Sequence, residues 1–94
     1  MGDTIFEWDA AKALANERKH GVPFSYAIRG FSDPKKIEVL DGRYNYGEER
    51  FKITAAVEES VLAVVFARRG KNIRIISARP ASREERTEYR AVRP

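Results

Sequence analysis

A chain of 94 residues buries only roughly 60–65 % of its unfolded surface, enough for one layer of helix on one sheet, so residues 1–94 are expected to form a single domain without a separate regulatory or substrate unit. With 43 % hydrophobic and 34 % charged residues and a net charge of +4, the chain suits a folded globule whose surface favours anions, either nucleic acid or an acidic protein partner. The absence of cysteine removes disulfides, thiolate chemistry and Cys-rich zinc sites, and a lone histidine without HExxH or calcium-loop spacing gives no reason to expect a metal or another cofactor.

In chain order, Ile5 to Trp8 reads as a short strand or extended lead-in. Asp9 can then accept from the exposed amides of a helix over 10–20, rich in good helix formers, and Gly21 stands where a left-handed residue ends it. Phe24, Ala27, Ile28 and Phe31 form one apolar stripe of a second short helix, which Asp33-Pro34 terminates. From about residue 36 the period becomes two. Ile37–Leu40 is a strand, followed by a polar loop to Glu49; Phe51, Ile53, Ala55 and Val57 give the next strand one apolar face. Val61–Arg69 and Asn72–Arg79 are joined as a hairpin by Gly70-Lys71. The run Val61 to Ala67 is far too short to cross a bilayer, and the N-terminus lacks a signal-peptide pattern, so the cytoplasm is the expected compartment. Pro80 ends the sheet, and Ser82-Arg83-Glu84-Glu85 has the form of a capping box opening a charged third helix to about Val92. The expected fold is α+β, a four-stranded antiparallel sheet with two N-terminal helices and one C-terminal helix, in the order β-α-α-β-β-β-β-α.

A two-residue turn at Gly70-Lys71 sets Ala67 opposite Arg74, with Arg69 and Arg74 on one face and Arg68 and Arg79 on the other. Neighbouring guanidinium groups call for anions: a phosphate, or carboxylates of the fold such as Glu48, Glu49 or those of the last helix. His20, next to Lys19 at a helix end, either caps the last carbonyls or holds a phosphate and exchanges a proton, since imidazole is the side chain suited to that near neutrality. Trp8 reads as core, whereas Tyr44 and Tyr46, in a polar loop, are candidates to stack on RNA bases.

Four fragments stand in a fixed order: Phe6-Glu7-Trp8-Asp9, Arg18-Lys19-His20-Gly21, Tyr46-Gly47-Glu48-Glu49-Arg50-Phe51 and Arg74-Ile75-Ile76-Ser77-Ala78-Arg79. Together they resemble the BrnT family of bacterial toxins over nearly the whole length. The resemblance implies a small RelE-like messenger-RNA endonuclease, made beside a BrnA antitoxin that silences it and that carries the complex to DNA, so that the toxin touches DNA only indirectly. It also favours the catalytic reading of Lys19 and His20, which match the family's Lys-His-Gly string. A mechanism consistent with these residues is metal-independent attack of a ribose 2′-hydroxyl on the adjacent phosphorus. Glu49 or His20 would take the hydroxyl proton, Lys19 or His20 would protonate the leaving oxygen, and Arg50, Arg69, Arg74 and Arg79 would stabilise the phosphorane, with Arg68 contributing to RNA binding. The chain departs from the family pattern at Ala67, where many members carry Thr, and at Pro23, Ser25 and Tyr26. The competing readings are a non-catalytic RNA- or DNA-binding module and a protein-interaction domain, with a monomer expected in isolation.

Overall fold

Apolar residues at helical spacing end near Ser32 and two-residue alternation begins near Ile37, and the backbone follows that change. The computed structural model describes residues 4–42 and 47–91. The elements are β1 (Ile5–Glu7), α1 (Ala10–His20), α2 (Phe24–Ala27, running on as a 3-10 turn over Ile28–Ser32), β2 (Ile37–Asp41), β3 (Arg50–Val57), β4 (Ser60–Arg69), β5 (Asn72–Pro80) and α3 (Arg83–Ala91). Asp9 caps α1 by accepting the Lys12 N–H at 2.9 Å, and Gly21 closes it at φ 74°, where a side chain would be strained.

The class is α+β, but the sheet is not the expected four-stranded antiparallel one. It is five-stranded and mixed, in the order β1-β5-β4-β3-β2, because β1 docks parallel to β5, with Ile5 opposite Asn72 and Glu7 opposite Arg74. The remaining pairs are antiparallel. One face carries Ile53, Ala55, Val57, Leu62, Val64, Phe66, Ile75 and Ala78 and buries them against Val22, Phe24 and Ala27 of the N-terminal helical segment. Gly30 lets that segment approach closely, since a Cβ there would lie 3.1 Å from the Ala55 Cβ. Trp8 belongs to this core, edge-on to Phe24 with ring centroids 5.8 Å apart. Among the described residues no helix is long and apolar enough to cross a membrane.

Two side chains complete ladders that the short outer strands leave unfinished. Beyond Glu7 the chain leaves β5 to form α1, and the buried Asn16 of that helix takes over: its Nδ2 donates to the carbonyls of Ala78 (2.8 Å) and Val22 (3.2 Å), while its Oδ1 accepts from the Ala78 N–H (3.2 Å). On the other side β2 pairs with β3 only as far as Thr54, and Asp33 accepts the Ala56 N–H at 2.8 Å. Burial opposes ionisation of Asp33, yet this bond and one from the Tyr89 hydroxyl hold its carboxyl below the usual range. Tyr89 in turn is pushed up to about 12 by burial and by Asp33, and this contact ties the last helix to the edge of the sheet. Because buried backbone groups left without partners are costly, Asn16→Ala is expected to destabilise the fold by about 3 kcal/mol. Asp9→Ala, which removes one exposed cap, is expected to cost about 1 kcal/mol. Urea denaturation of both variants measures the difference.

Candidate active site

The second face of the sheet is polar and only partly covered by α3. Its outermost row to cross all five strands reads Asp41, Arg50, Ala67, Arg74, Glu7 from β2 to β1. Arg50 and Arg74 thus flank a residue with a single methyl group, on strands roughly 10 Å apart. Arg69 joins them from the end of β4, on the same face as the hairpin register requires. Arg74 donates to Glu7 at 3.1 Å, Asn72 donates to the same carboxylate at 2.9 Å, and Arg69 lies 3.4 Å from Glu48. The bonds from Asn72 and then Arg74 keep the Glu7 carboxyl below its ordinary value. Ion pairs this exposed contribute only about 0–1 kcal/mol, so a phosphate can displace them. Glu49, the expected base, is exposed and stands immediately before β3, next to Arg50 in the chain.

Arg79 does not share a face with Arg68. The register shifts between Val65 and Phe66, so that Val65 faces Ser77 while Phe66 faces Ile75, and the extra residue reverses the alternation beyond it. Arg79 therefore opposes Ala63 on the polar face, where it meets α3. Glu85 of that helix accepts both Arg79 nitrogens (2.7 and 2.9 Å), the Lys52 ammonium (2.6 Å) and the Ser82 N–H (2.8 Å), while Ser82 Oγ accepts the Glu85 N–H at 3.1 Å. The capping box thus doubles as a bridge across the sheet. Arg79 first, and then Lys52 and Ser82, outweigh burial and hold the Glu85 carboxyl far below the carboxylate range. Beside this bridge lies a cavity of about 320 Å³ lined, among the described residues, by Val39, Leu40, Asp41, Lys52 and Arg79.

Lys19 and His20 lie elsewhere. His20 lines a cavity of about 420 Å³ with Val61, Leu62, Pro80 and Arg86, at the start of β4 and the end of β5. Five residues along β4, or about 17 Å, separate Leu62 from Ala67, so one phosphate cannot touch both His20 and the arginine row. Arg68, expected to bind RNA, points to the apolar face instead. It makes two bonds to Glu38 (2.8 and 3.2 Å) and covers the rings of Phe51 and Phe66 at 4.8 and 5.2 Å, closing the open end of the core. Tyr44 and Tyr46 lie outside the described residues.

The residues that sequence reasoning passed over are Glu7, Asp41, Lys52 and Glu85. Alternation along β3 already places Lys52 with Arg50, and Glu85 is visible as a capping residue. No local signal marks Glu7 or Asp41 as neighbours of the arginines.

A family model described as the ribonuclease toxin, BrnT, of type II toxin-antitoxin systems matches residues 8–85. The chain belongs to the BrnT family. No curated protein matches it. The BrnT match takes in Arg50, Ala67, Arg69, Arg74, the Lys52–Arg79–Glu85 bridge and the Lys19-His20 pair, and stops short of Glu7 and Tyr89. Membership makes the protein a ribonuclease toxin with RNA as its substrate and an antitoxin as its partner.

Proposed function

We propose that this BrnT toxin cleaves single-stranded RNA on the polar face of its sheet, and that the reacting phosphate sits over Ala67 between Arg50 and Arg74. The observation that carries this reading is that cross-strand row: the half-buried Arg50 and Arg74 flank the buried methyl group of Ala67, with the exposed Arg69 alongside. There the non-bridging oxygens of a phosphodiester find donors on both sides, and the charge that grows on them in the phosphorane is met by cations already in place. Glu49 takes the proton of the ribose 2′-hydroxyl, whose oxygen attacks the adjacent phosphorus. The P–O5′ bond breaks as the leaving 5′-oxygen takes a proton from solvent water, leaving a 2′,3′-cyclic phosphate on one fragment and a 5′-hydroxyl on the other, and no metal ion takes part. Arg79, engaged by Glu85, serves mainly to hold α3, and Lys19 and His20 contact a more distant part of the strand.

Silencing follows from the same chemistry: a BrnA-like antitoxin that lays carboxylates on Arg50 and Arg74 replaces the phosphate. A second reading, a module that binds RNA without cutting it, draws on the ion pairs that neutralise Arg69, Arg74, Arg79 and Lys52 within the fold. One experiment separates the two. The purified chain is incubated with labelled single-stranded RNA in EDTA, beside an RNA carrying a single deoxynucleotide at the cleaved position. Cyclic phosphate ends that vanish with the deoxynucleotide are expected; binding that weakens with salt but yields no fragments would decide for the binding module.

A further inference from the structure

We infer that the RNA strand leaving the arginine row runs along α1, where Lys12 and Lys19 hold its phosphates. The inference rests on the RNA-binding reading above and deepens it by giving the flanking strand a path. Three contacts fix the course of α1 beside β5: Glu7, just ahead of it, faces Arg74, Asn16 bonds to Ala78, and His20 shares a cavity with Pro80. The helix therefore starts level with the row and descends with the strand. At about 100° of turn per residue, Asn16 pointing at the edge of β5 sets the side that every other residue takes. Ala13 falls to one side and packs against the apolar core. Lys12 and Lys19, at i−4 and i+3 from Asn16, fall together on the other, which is the side of the polar face. The Asp9 carboxylate, engaged in capping the helix, lies within electrostatic reach of both Lys12 and Arg74, so the first lysine of the strip adjoins the row.

The chemistry of the strip suits a polyanion. Both lysines are exposed, and only the small, exposed Ala15 stands between them on that side. Seven residues of helix set their Cα atoms about 10 Å apart along the axis, a distance that a few links of an extended strand cover. Ammonium groups on flexible stems act as point charges toward phosphate and read no sequence. Glu17 and the exposed Leu14 each lie about 150° round the helix from the lysines, so neither a carboxylate nor an apolar anchor of α1 joins the strip. A protein docked there would find charge without the apolar or aromatic core that protein interfaces are built around. The strip leads from the arginine row to the cavity of about 420 Å³ where His20 and Arg86 add further donors, and it explains why Lys19 and His20 stand so far from the reacting phosphate: they serve the same strand farther along.

The test uses binding rather than cleavage. Fluorescence anisotropy of the purified chain is measured with a labelled single-stranded 2′-O-methyl RNA, which lacks the attacking hydroxyl, over a fourfold range of salt. Each phosphate contact to a single strand contributes about 0.7 to the slope of log affinity against log salt, so the Lys12→Ala, Lys19→Ala double variant should show a slope shallower by about 1.4 and lose about 7-fold less affinity than the parent across that range. Alanine favours helix, so the variant should fold, and its melting temperature checks this. Lys35→Ala with Lys36→Ala removes the same charge ahead of β2, at the opposite edge of the sheet, and should leave the slope close to that of the parent. An unchanged slope in the α1 variant would give this side of the helix to a protein partner and overturn the inference. An equal fall in the Lys35, Lys36 control would reduce the effect to net charge and overturn it too, as would the absence of measurable RNA binding by the parent, which would remove the RNA-binding reading as well. Cleavage of ordinary RNA together with an unchanged slope would sink the α1 path alone, whereas the expected fall in a chain that never cuts RNA would keep the path and remove the ribonuclease mechanism.

Discussion

Glu85→Ala is expected to destabilise the toxin by about 3 kcal/mol, the lower end of what breaking a buried ion pair costs. The carboxylate side chain is 9 % exposed, but Arg79 and Lys52 are 35 % and 26 % exposed, so water recovers part of their solvation once the partner is gone. For a domain of this size such a loss lowers the melting temperature by roughly 12–24 °C. The effect exceeds that of an ordinary helix cap because one side chain performs two tasks, closing the Ser82 capping box and holding α3 to β3 and β5. Glu85→Gln keeps an oxygen for the Ser82 N–H and should fall between the two. The acid response follows from the sign of the shift. The folded carboxyl ionises far below the ordinary value of 4.5, so its contribution is fully present above that pH and declines as the pH falls through the interval down to the folded value. The Gln variant should lose this part of the acid dependence. Thermal melts at neutral pH and near pH 3 test both statements; an Ala variant melting within a few degrees of the parent would show that α3 is held by something else.

Removing either guanidinium of the central row is expected to lower the cleavage rate constant by about 10²- to 10³-fold, the scale set by losing one preorganised donor to a developing oxyanion. Arg50→Ala and Arg74→Ala together should not multiply to the product of the single losses, because both act on one phosphate. Lysine at either position should restore little, since a point charge cannot reproduce the planar fork. His20→Ala, by contrast, should act mainly through KM, as the cavity it lines lies at Leu62, about five residues of strand, or about 17 Å, from Ala67. Single-turnover cleavage of a short RNA separates these cases. A loss of 10²-fold or more in the rate constant for His20→Ala, with Arg74→Ala still active, would move the reaction centre to the end of α1.

Much of this architecture is written locally. The limits of α1 follow from Asp9 and Gly21, the third helix from the Ser82–Glu85 box, and the β4–β5 hairpin from Gly70-Lys71, because each depends on hydrogen bonds or backbone angles among residues close in the chain. The same locality places Arg69 and Arg74 on one face and makes the family recognisable from short fragments. What the tertiary structure alone decided rests on contacts between distant residues. The short strand at Ile5 was legible, but a parallel pairing between the first and last strands has no turn to announce it, so its place as a fifth strand of the sheet and the Glu7–Arg74 pair were not. The irregularity opposite Val65 reversed the side of Arg79, since one extra residue inverts a period of two. Asn16 and Asp33 look like unremarkable polar residues until the unfinished edges of β5 and β3 give them backbone groups to satisfy. The length of the sheet set Lys19 and His20 apart from the arginines they seemed to serve: spacing in sequence does not measure distance across a fold, and only the register of the strands does.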